Sequence, residues 1–181
     1  MYGMVNKFIS TTVINRYGQK EWDKINARLP FTTDTFIEMQ SYTDDVTFGI
    51  VGTAVEVLDV DIAKFLEEMG FDWVLETSKG SYQSMYSMVS GGMYEFIENL
   101  NNMHHVISSQ LSEITPPSFL CQKGDENDIC VKYFSERDGL EPFVLGLLSG
   151  LSAYFKEPAT IELLSTKNTH QPFSEFKITL K

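Results

Sequence analysis

A double proline divides the chain into two parts with different hydrophobic periodicity. Before Pro116 and Pro117, apolar residues recur every three or four positions, as in amphipathic helices. After them, apolar and polar residues alternate, as in strands with one buried face. Proline lacks an N–H and holds the preceding residue in extended geometry, so no helix continues through the pair. Helices followed by strands predict an α+β fold.

The periodicity also predicts the individual elements. The pattern favours helices over 3–17, 22–29, 46–58 and 62–73, and a long helix from Met93 to about Ser112. Residues 80–90 are ambiguous, because Tyr and Met favour a helix while Ser and Gly weaken it. Beyond the prolines we expect strands over 119–121 and 128–137 joined by a turn at 124–127, a helix over 140–155, and strands over 160–164 and 173–180. No repeat or linker interrupts the pattern, so we expect a single domain over residues 1–181.

Composition restricts the possible partners. The 181 residues carry 14 Lys and Arg against 25 Asp and Glu, a formal net charge of −11, which argues against nucleic acid or an anionic membrane surface. The longest apolar stretch, Phe143–Phe155, contains Gly and Ser and is shorter than the roughly 20 residues of a membrane span. No signal sequence opens the chain. We therefore expect a cytoplasmic protein.

Two adjacent histidines, His104 and His105, lie in the middle of the long predicted helix. Neighbours on a helix are separated by about 100° of rotation, so the two rings face different surroundings. The face of His104 also carries Phe96, Ile97, Leu100, Ile107 and Leu111. The face of His105 carries Asn101, Asn102, Ser108 and Ser109. His104 is thus predicted to point inward, either as a neutral imidazole bonded to a backbone carbonyl or as a ligand of a metal or cofactor.

Three hydrogen-bond donors alternate along the predicted strand over 128–137. Tyr133, Ser135 and Arg137 would share one face, with neighbouring side chains about 6.6 Å apart. A guanidinium can bind one carboxylate bidentately while the hydroxyls bind another. Haem has two propionates and an iron that accepts an axial imidazole, so it matches both this row and His104. The alternative is an ordinary solvent-facing strand edge.

The combination resembles the H-NOX family of haem nitric oxide/oxygen binding domains, which includes the haem domain of soluble guanylate cyclase. A helical histidine, the double proline, and Tyr-x-Ser-x-Arg beginning sixteen residues after Pro117 carry the likeness. Further similarity lies at residues 1–7, 16–18, 99–104, 116–119, 139–140 and 144–148. The resemblance implies an N-terminal helical bundle followed by a four-stranded antiparallel sheet with an intervening helix, and haem between the two parts.

The resemblance also implies a role for particular residues. His104 aligns with the axial ligand of the iron of haem b (iron protoporphyrin IX), and Tyr133, Ser135 and Arg137 align with the residues that clamp its propionates. Pro117 matches a proline that presses on the porphyrin and keeps it non-planar. The resemblance places five residues at or near the distal wall of the pocket: Met4, Val5, Trp73, Phe143 and Leu147.

Gas selectivity follows from the polarity of the distal wall. Oxygen-binding members of the family have a distal tyrosine at the start of the helix after the Tyr-x-Ser-x-Arg strand. Here that stretch is Leu140–Val144 and contains no hydroxyl. The resemblance therefore implies a sensor of nitric oxide, with carbon monoxide as a further ligand, that excludes oxygen. The indole of Trp73 is a donor and leaves open an oxygen-binding sensor.

The resemblance implies a switch and not an enzyme. Nitric oxide bound opposite His104 weakens the iron–imidazole bond, the haem relaxes, and the His104 helix moves relative to the strands. The 181 residues contain no effector motif, so we expect signalling in trans to a histidine kinase or a diguanylate cyclase, as in stand-alone bacterial members. The alternatives are a haem enzyme of peroxidase type, which would need a distal acid–base residue, and a haem-free interaction scaffold.

The cysteines are interpreted more simply. Cys121 resembles a cysteine near the haem in guanylate cyclase, and the alternative is a small buried hydrophobic residue. Cys121, Cys130 and His170 are too few for the zinc site that some relatives carry.

Overall fold

Helices fill the first part of the chain and a sheet forms most of the last part in the computed structural model, which describes residues 1–33, 36–80, 82–110, 115–125 and 127–181. These residues form two compact units, 1–65 and 66–181. The α+β prediction is confirmed, since the helices precede a four-stranded antiparallel sheet that has one helix inserted in its chain order. Within the described ranges, no helix combines the length and apolar character needed to cross a bilayer.

The first unit is built around three helices: α1 (Gly3–Tyr17), α2 (Gln19–Arg28) and α3 (Asp44–Leu58). Gly18 separates α1 from α2 with a φ of 92°, a left-handed-region value that favours glycine. Side chains from all three helices are fully buried between them: Val13, Ile25, Ile50 and Ala54. Burial of these apolar groups, and not helix propensity alone, stabilises the short α2.

The second unit contains the sheet and the helices that pack on it. Its helices are α4 (Ile62–Thr77), which begins in the first unit, α5 (Gln83–Met88), α6 (Met93–Gln110) and α7 (Glu141–Phe155). Its strands are β1 (Ser118–Lys123), β2 (Asp128–Phe134), β3 (Ala159–Ser165) and β4 (Ser174–Leu180), in the order β1-β2-β4-β3. All neighbouring pairs are antiparallel.

Alternating burial in β2 and β4 creates the core of this unit. Val131 of β2 faces Phe176 of β4, and both are fully buried together with Ile178. The same cluster includes buried residues of α6 and α7: Met93, Phe96, Ile97, Val144, Leu148 and Leu151. This packing fixes α6 and α7 relative to the sheet, and so fixes the residues that those helices carry.

The element boundaries can be compared with the prediction at the ambiguous segment 80–90 and at the end of β2. The ambiguous segment 80–90 contains the short helix α5. The predicted end of the long helix near Ser112 lies beyond what the structure describes, as does residue 126 in the predicted turn. The strand predicted over 128–137 ends at Phe134, so that prediction was wrong. Phe134 pairs with Ser118 and Tyr133 pairs with Ser174, which are the first residues of the neighbouring strands, so later residues have no ladder partner.

Helices α4 and α7 cross with their backbones in contact at two glycines. A Cβ at Gly70 would lie 2.1 Å from the Phe143 carbonyl oxygen, and a Cβ at Gly146 would lie 1.9 Å from the Glu67 carbonyl oxygen. Both distances are far below 3.0 Å, which Cβ atoms essentially never show, so no larger residue fits without separating the helices.

Candidate functional site

The two histidines of α6 lie in different surroundings. His104 is half-buried and His105 is exposed, as the helix-face argument predicts. The apolar companions of His104 are buried or half-buried, apart from Leu111, which is outside the described ranges. The face predicted to be solvated is indeed mostly exposed, although one of its residues, Asn101, has a structural role as well.

One hydrogen bond orients the imidazole of His104. Its Nδ1 lies 3.0 Å from the carbonyl oxygen of Pro117. A carbonyl only accepts, so Nδ1 carries the proton and Nε2 keeps a lone pair, which is the arrangement typical of metal-ligating histidines. Burial lowers the pKa of His104 below its usual value, and the hydrogen bond to Pro117 opposes part of that change. The neutral ring, which is the form that binds metals, is therefore favoured.

Asn101 joins α6 to the start of β1, one turn before His104. Its Nδ2 donates to the Phe119 carbonyl oxygen at 2.7 Å, and its Oδ1 accepts the Phe119 N–H at 2.8 Å. An amide that bonds both backbone groups of one residue fixes the direction and the register of the contact. With the bond from His104, three hydrogen bonds connect α6 to residues 117–119.

The predicted donors come together in a turn and not along one strand face. Tyr133 is buried within β2, whereas Ser135 and Arg137 follow its end. Ser135 Oγ accepts the Arg137 N–H at 3.0 Å and also shares a hydrogen bond with the phenol of Tyr133. Burial raises the pKa of Tyr133, and the bond with Ser135 offsets part of the rise, so the phenol remains a neutral donor. The guanidinium Nη1 of Arg137 donates to the Thr115 carbonyl oxygen at 3.0 Å.

Residues 115–119 connect the imidazole with these donors. His104 bonds to the carbonyl group of Pro117, and Arg137 bonds to that of Thr115. The Phe119 ring neighbours two further rings, with centroid separations of 6.2 Å to His104 and 5.4 Å to Tyr133. The structure thus brings into one region of the second unit five residues predicted to bind or contact the haem: His104, Pro117, Tyr133, Ser135 and Arg137.

The predicted distal residues are divided between the two units. Trp73 of α4 and Phe143 of α7 meet edge to face, with ring centroids 6.4 Å apart, next to the glycine crossing of those helices. Leu147 lies one turn after Phe143 and is half-buried, like both aromatic residues. Met4 and Val5 lie in α1 of the first unit and are also half-buried. The distal role of all five stays a prediction.

The two cysteines lie on opposite faces of the sheet. Cys121 is part of the core, where burial raises the pKa of its thiol to about 12. The thiol of Cys130 donates to Glu175 Oε1 at 3.1 Å on the other face. In the part of the chain that the structure describes, no cluster of three His, Cys, Asp or Glu residues could hold a metal ion. The packing of Cys121 is that of a small hydrophobic residue.

The donor set fits an iron porphyrin with two carboxylates. His104 would offer an oriented, neutral imidazole to the iron, and a backbone carbonyl fixes which ring nitrogen is available. Tyr133, Ser135 and Arg137 offer two hydroxyl groups and a guanidinium, the groups that bind carboxylates. Fold and donor set together define a haem-binding α+β domain.

Comparison with known proteins gives the family. The family model described as Haem-NO-binding matches residues 2–163. The unliganded Fe(II) H-NOX protein from K. algicida has a TM-score of 0.85 at 18% identity, covering 100% of this chain and 97% of that one. An oxygen-binding H-NOX domain related to soluble guanylate cyclases has a TM-score of 0.84 at 20% identity, covering 100% of this chain and 95% of that one. The chain belongs to the haem-NO-binding, or H-NOX, family, which confirms the predicted resemblance.

The curated relatives are much longer proteins. Soluble guanylate cyclase gcy-37 of Caenorhabditis elegans is 29% identical over 151 residues, which are 82% of this chain and 21% of that protein. The chain spans about a fifth of the length of the relatives that it matches in this way. It is a haem-binding gas-sensor domain related to soluble guanylate cyclase, in a family of sensor domains that are not themselves catalytic.

Proposed function

We propose that residues 1–181 act as one haem-based sensor domain for nitric oxide in the cytoplasm of a bacterium. The observation that carries haem binding is the convergence of His104 and the turn that bears Ser135 and Arg137 on residues 115–119. Nε2 of His104 would bind the iron of haem b. The hydroxyl groups of Tyr133 and Ser135 and the guanidinium of Arg137 would hold its propionates.

Reconstitution tests this first step. Mixing the haem-free protein with ferric haem and then reducing it should give a Soret band that shifts when nitric oxide or carbon monoxide is added. A protein that gives no Soret band would be a haem-free scaffold, which would overturn the proposal.

The start of α7 supports selectivity for nitric oxide. When bound, a ferrous haem would supply the iron atom that binds the gas. A haem pocket that holds oxygen needs a hydrogen-bond donor near the gas, whereas one that holds nitric oxide does not. The polar residue Glu141 at the start of α7 is buried, and its carboxylate accepts a bond from Ser174 Oγ at 2.8 Å, so it is engaged toward β4. Phe143, also in this stretch, packs on Trp73.

Exposure of the ferrous protein to air tests the selectivity. We expect oxidation without a stable oxygen complex. A stable oxygen complex would refute selectivity, and its loss in Trp73→Phe would identify the indole as the donor. The contact of Trp73 with Phe143, which the resemblance puts on the distal wall, supports that alternative.

The hydrogen bonds of α6 indicate how a displacement of His104 would be transmitted to the sheet. Any displacement of His104 must either carry residues 117–119 with it or break the three hydrogen bonds that join α6 to them. Because Ser118 begins β1, the displacement reaches the edge of the sheet. We propose that a histidine kinase or a diguanylate cyclase reads this change in trans.

The partner proposal has a direct assay. The nitric oxide complex of the protein is added to a kinase or cyclase encoded beside its gene, and autophosphorylation or cyclic dinucleotide formation is measured. A change that appears with the nitric oxide complex and is absent with the unliganded ferrous protein supports signalling in trans. No difference between the two states would refute it for that partner.

A further inference from the structure

A largely buried lysine outside the predicted haem site donates hydrogen bonds to the backbone of two residues of that site. Lys167 lies in the loop between β3 and β4, and its side chain is only 19% exposed. Its Nζ donates to the Ser135 carbonyl oxygen at 2.7 Å and to the Arg137 carbonyl oxygen at 2.8 Å. Asp138 Oδ1 lies 2.8 Å from the same nitrogen. An ammonium has three N–H donors, so these acceptors use all of them.

The bonded turn needs such support because it lies beyond the sheet. β2 ends at Phe134, so residues 135–138 do not belong to a strand ladder. The orientation of each carbonyl is coupled through ψ to the direction of its own side chain, and Lys167 fixes the carbonyls of Ser135 and Arg137. Charge-assisted bonds to two carbonyls are stronger than bonds between neutral groups.

Lys167 is itself anchored on the side away from the turn. Its backbone N–H donates to Ser174 Oγ at 3.0 Å, and the Ser174 hydroxyl donates to Glu141 Oε1 at 2.8 Å. Ser174 is fully buried at the first position of β4, and Glu141 is buried at the first position of α7. The turn is therefore connected through Lys167 to two elements of the core.

We propose that Lys167 is a positioning residue for the haem propionates, acting through the backbone of Ser135 and Arg137. The inference rests on the proposed haem-binding function. It assigns to the loop between β3 and β4 a part in haem retention that the Tyr-x-Ser-x-Arg motif does not contain.

Haem transfer to an excess of apomyoglobin measures the effect. Lys167→Met keeps an unbranched side chain of similar length and removes the ammonium, and we expect haem loss about tenfold faster than from the wild type. The matched control is Lys177→Met. Lys177 lies in β4 and pairs with Asp128 Oδ2 at 2.8 Å, away from the turn, so its replacement should leave the rate of loss unchanged. Lys167→Arg keeps the charge and N–H donors and should restore part of the retention.

Haem dimethyl ester separates positioning from general stability. Its carboxylates are blocked, so the expected result is that Lys167→Met loses the diester at the wild-type rate. Equal acceleration for haem and diester would show a merely structural role and overturn the proposal, as would haem retention by Lys167→Met equal to that of the wild type. Failure of the proposed function looks different, because the wild type itself would then form no Soret band, and both proposals would fall.

Discussion

Gly146→Ala tests whether the backbone contact of α4 and α7 shapes the predicted distal wall. The added methyl would lie 1.9 Å from the Glu67 carbonyl oxygen and 2.9 Å from the Phe71 nitrogen. Both are backbone atoms, so no rotation of a side chain relieves the overlap. Since ordinary contact begins near 3.4 Å, the helices must separate by about 1.5 Å at this point.

The expected cost follows from two opposing effects. Overpacking a core costs about 1–3 kcal/mol and occasionally more, and a rigid obstacle places Gly146→Ala at the upper end. Replacing glycine by alanine inside a helix returns about 1 kcal/mol, so the net loss of unfolding free energy should be roughly 2 kcal/mol. Gly52 of α3 is the matched control, because a methyl there meets nothing within 4 Å. Gly52→Ala should raise the unfolding free energy by about 0.5–1 kcal/mol.

Urea unfolding of the haem-free variants, followed by circular dichroism, gives both free energies. Fluorescence in a Trp22→Phe background reports on Trp73 alone, since these are the two tryptophans of the chain. Its emission should shift to the red in Gly146→Ala, as the contact with Phe143 opens, and stay unchanged in Gly52→Ala. Stability of Gly146→Ala equal to that of Gly52→Ala would refute the reasoning.

Three further predictions concern α6. His104→Gly should lose haem and regain it with added imidazole, whereas His105→Gly should retain it; the reverse result would refute the face assignment. Burial lowers the folded-state pKa of His104, so on acidification the unfolded chain binds this proton at a higher pH than the folded chain does. The free energy of unfolding of the haem-free protein should therefore fall as the pH drops through about 6.5, and His104→Gln should lack this component. Asn101→Leu removes two hydrogen bonds to β1 and should lower the free energy of unfolding, measured in urea, by about 2 kcal/mol. Asn102→Leu, at an exposed position, should leave that free energy almost unchanged.

Features with local causes could be predicted from the sequence. The helix-to-strand change at the double proline follows from the geometry of proline itself, and β1 indeed begins at Ser118. The choice of His104 over His105 needs only the helical repeat and the apolar residues around it. Each of these predictions depends on residues close together in the chain.

The end of β2 could not be predicted in the same way. It is set by where β1 and β4 begin, at Ser118 and Ser174, and their registers with β2 are properties of the assembled sheet. The donors Tyr133, Ser135 and Arg137 keep a strand-like spacing of two in the sequence, although no partner strand is left to pair with the last two. The Ser135 hydroxyl still bonds to the phenol of Tyr133, and the Arg137 guanidinium bonds to the Thr115 carbonyl oxygen, but a shared strand face is not the reason.

Lys167 left no signal in the sequence. A lysine in a polar loop indicates a solvent-exposed side chain, because lysine is rarely buried without a partner. The Lys167 side chain is largely buried because its ammonium group donates to two backbone carbonyl groups. Those groups lie thirty or more residues away in the chain. Because β2 ends at Phe134, the carbonyl groups of Ser135 and Arg137 accept from Lys167 and not from a neighbouring strand. A strand predicted to continue to residue 137 gives no reason to expect that contact.

The double proline interrupts regular secondary structure, and the same segment accepts the hydrogen bonds of His104 and Arg137. Residues 115–117 belong neither to α6 nor to β1, so their carbonyl groups are not used by a helix or a strand ladder. The carbonyl groups of Thr115 and Pro117 accept bonds from Arg137 and His104 instead. A residue that allowed the helix to continue would direct those carbonyls along the helix axis, away from both side chains. The exclusion of residues 115–117 from a helix and the orientation of the His104 imidazole therefore follow from the same backbone geometry.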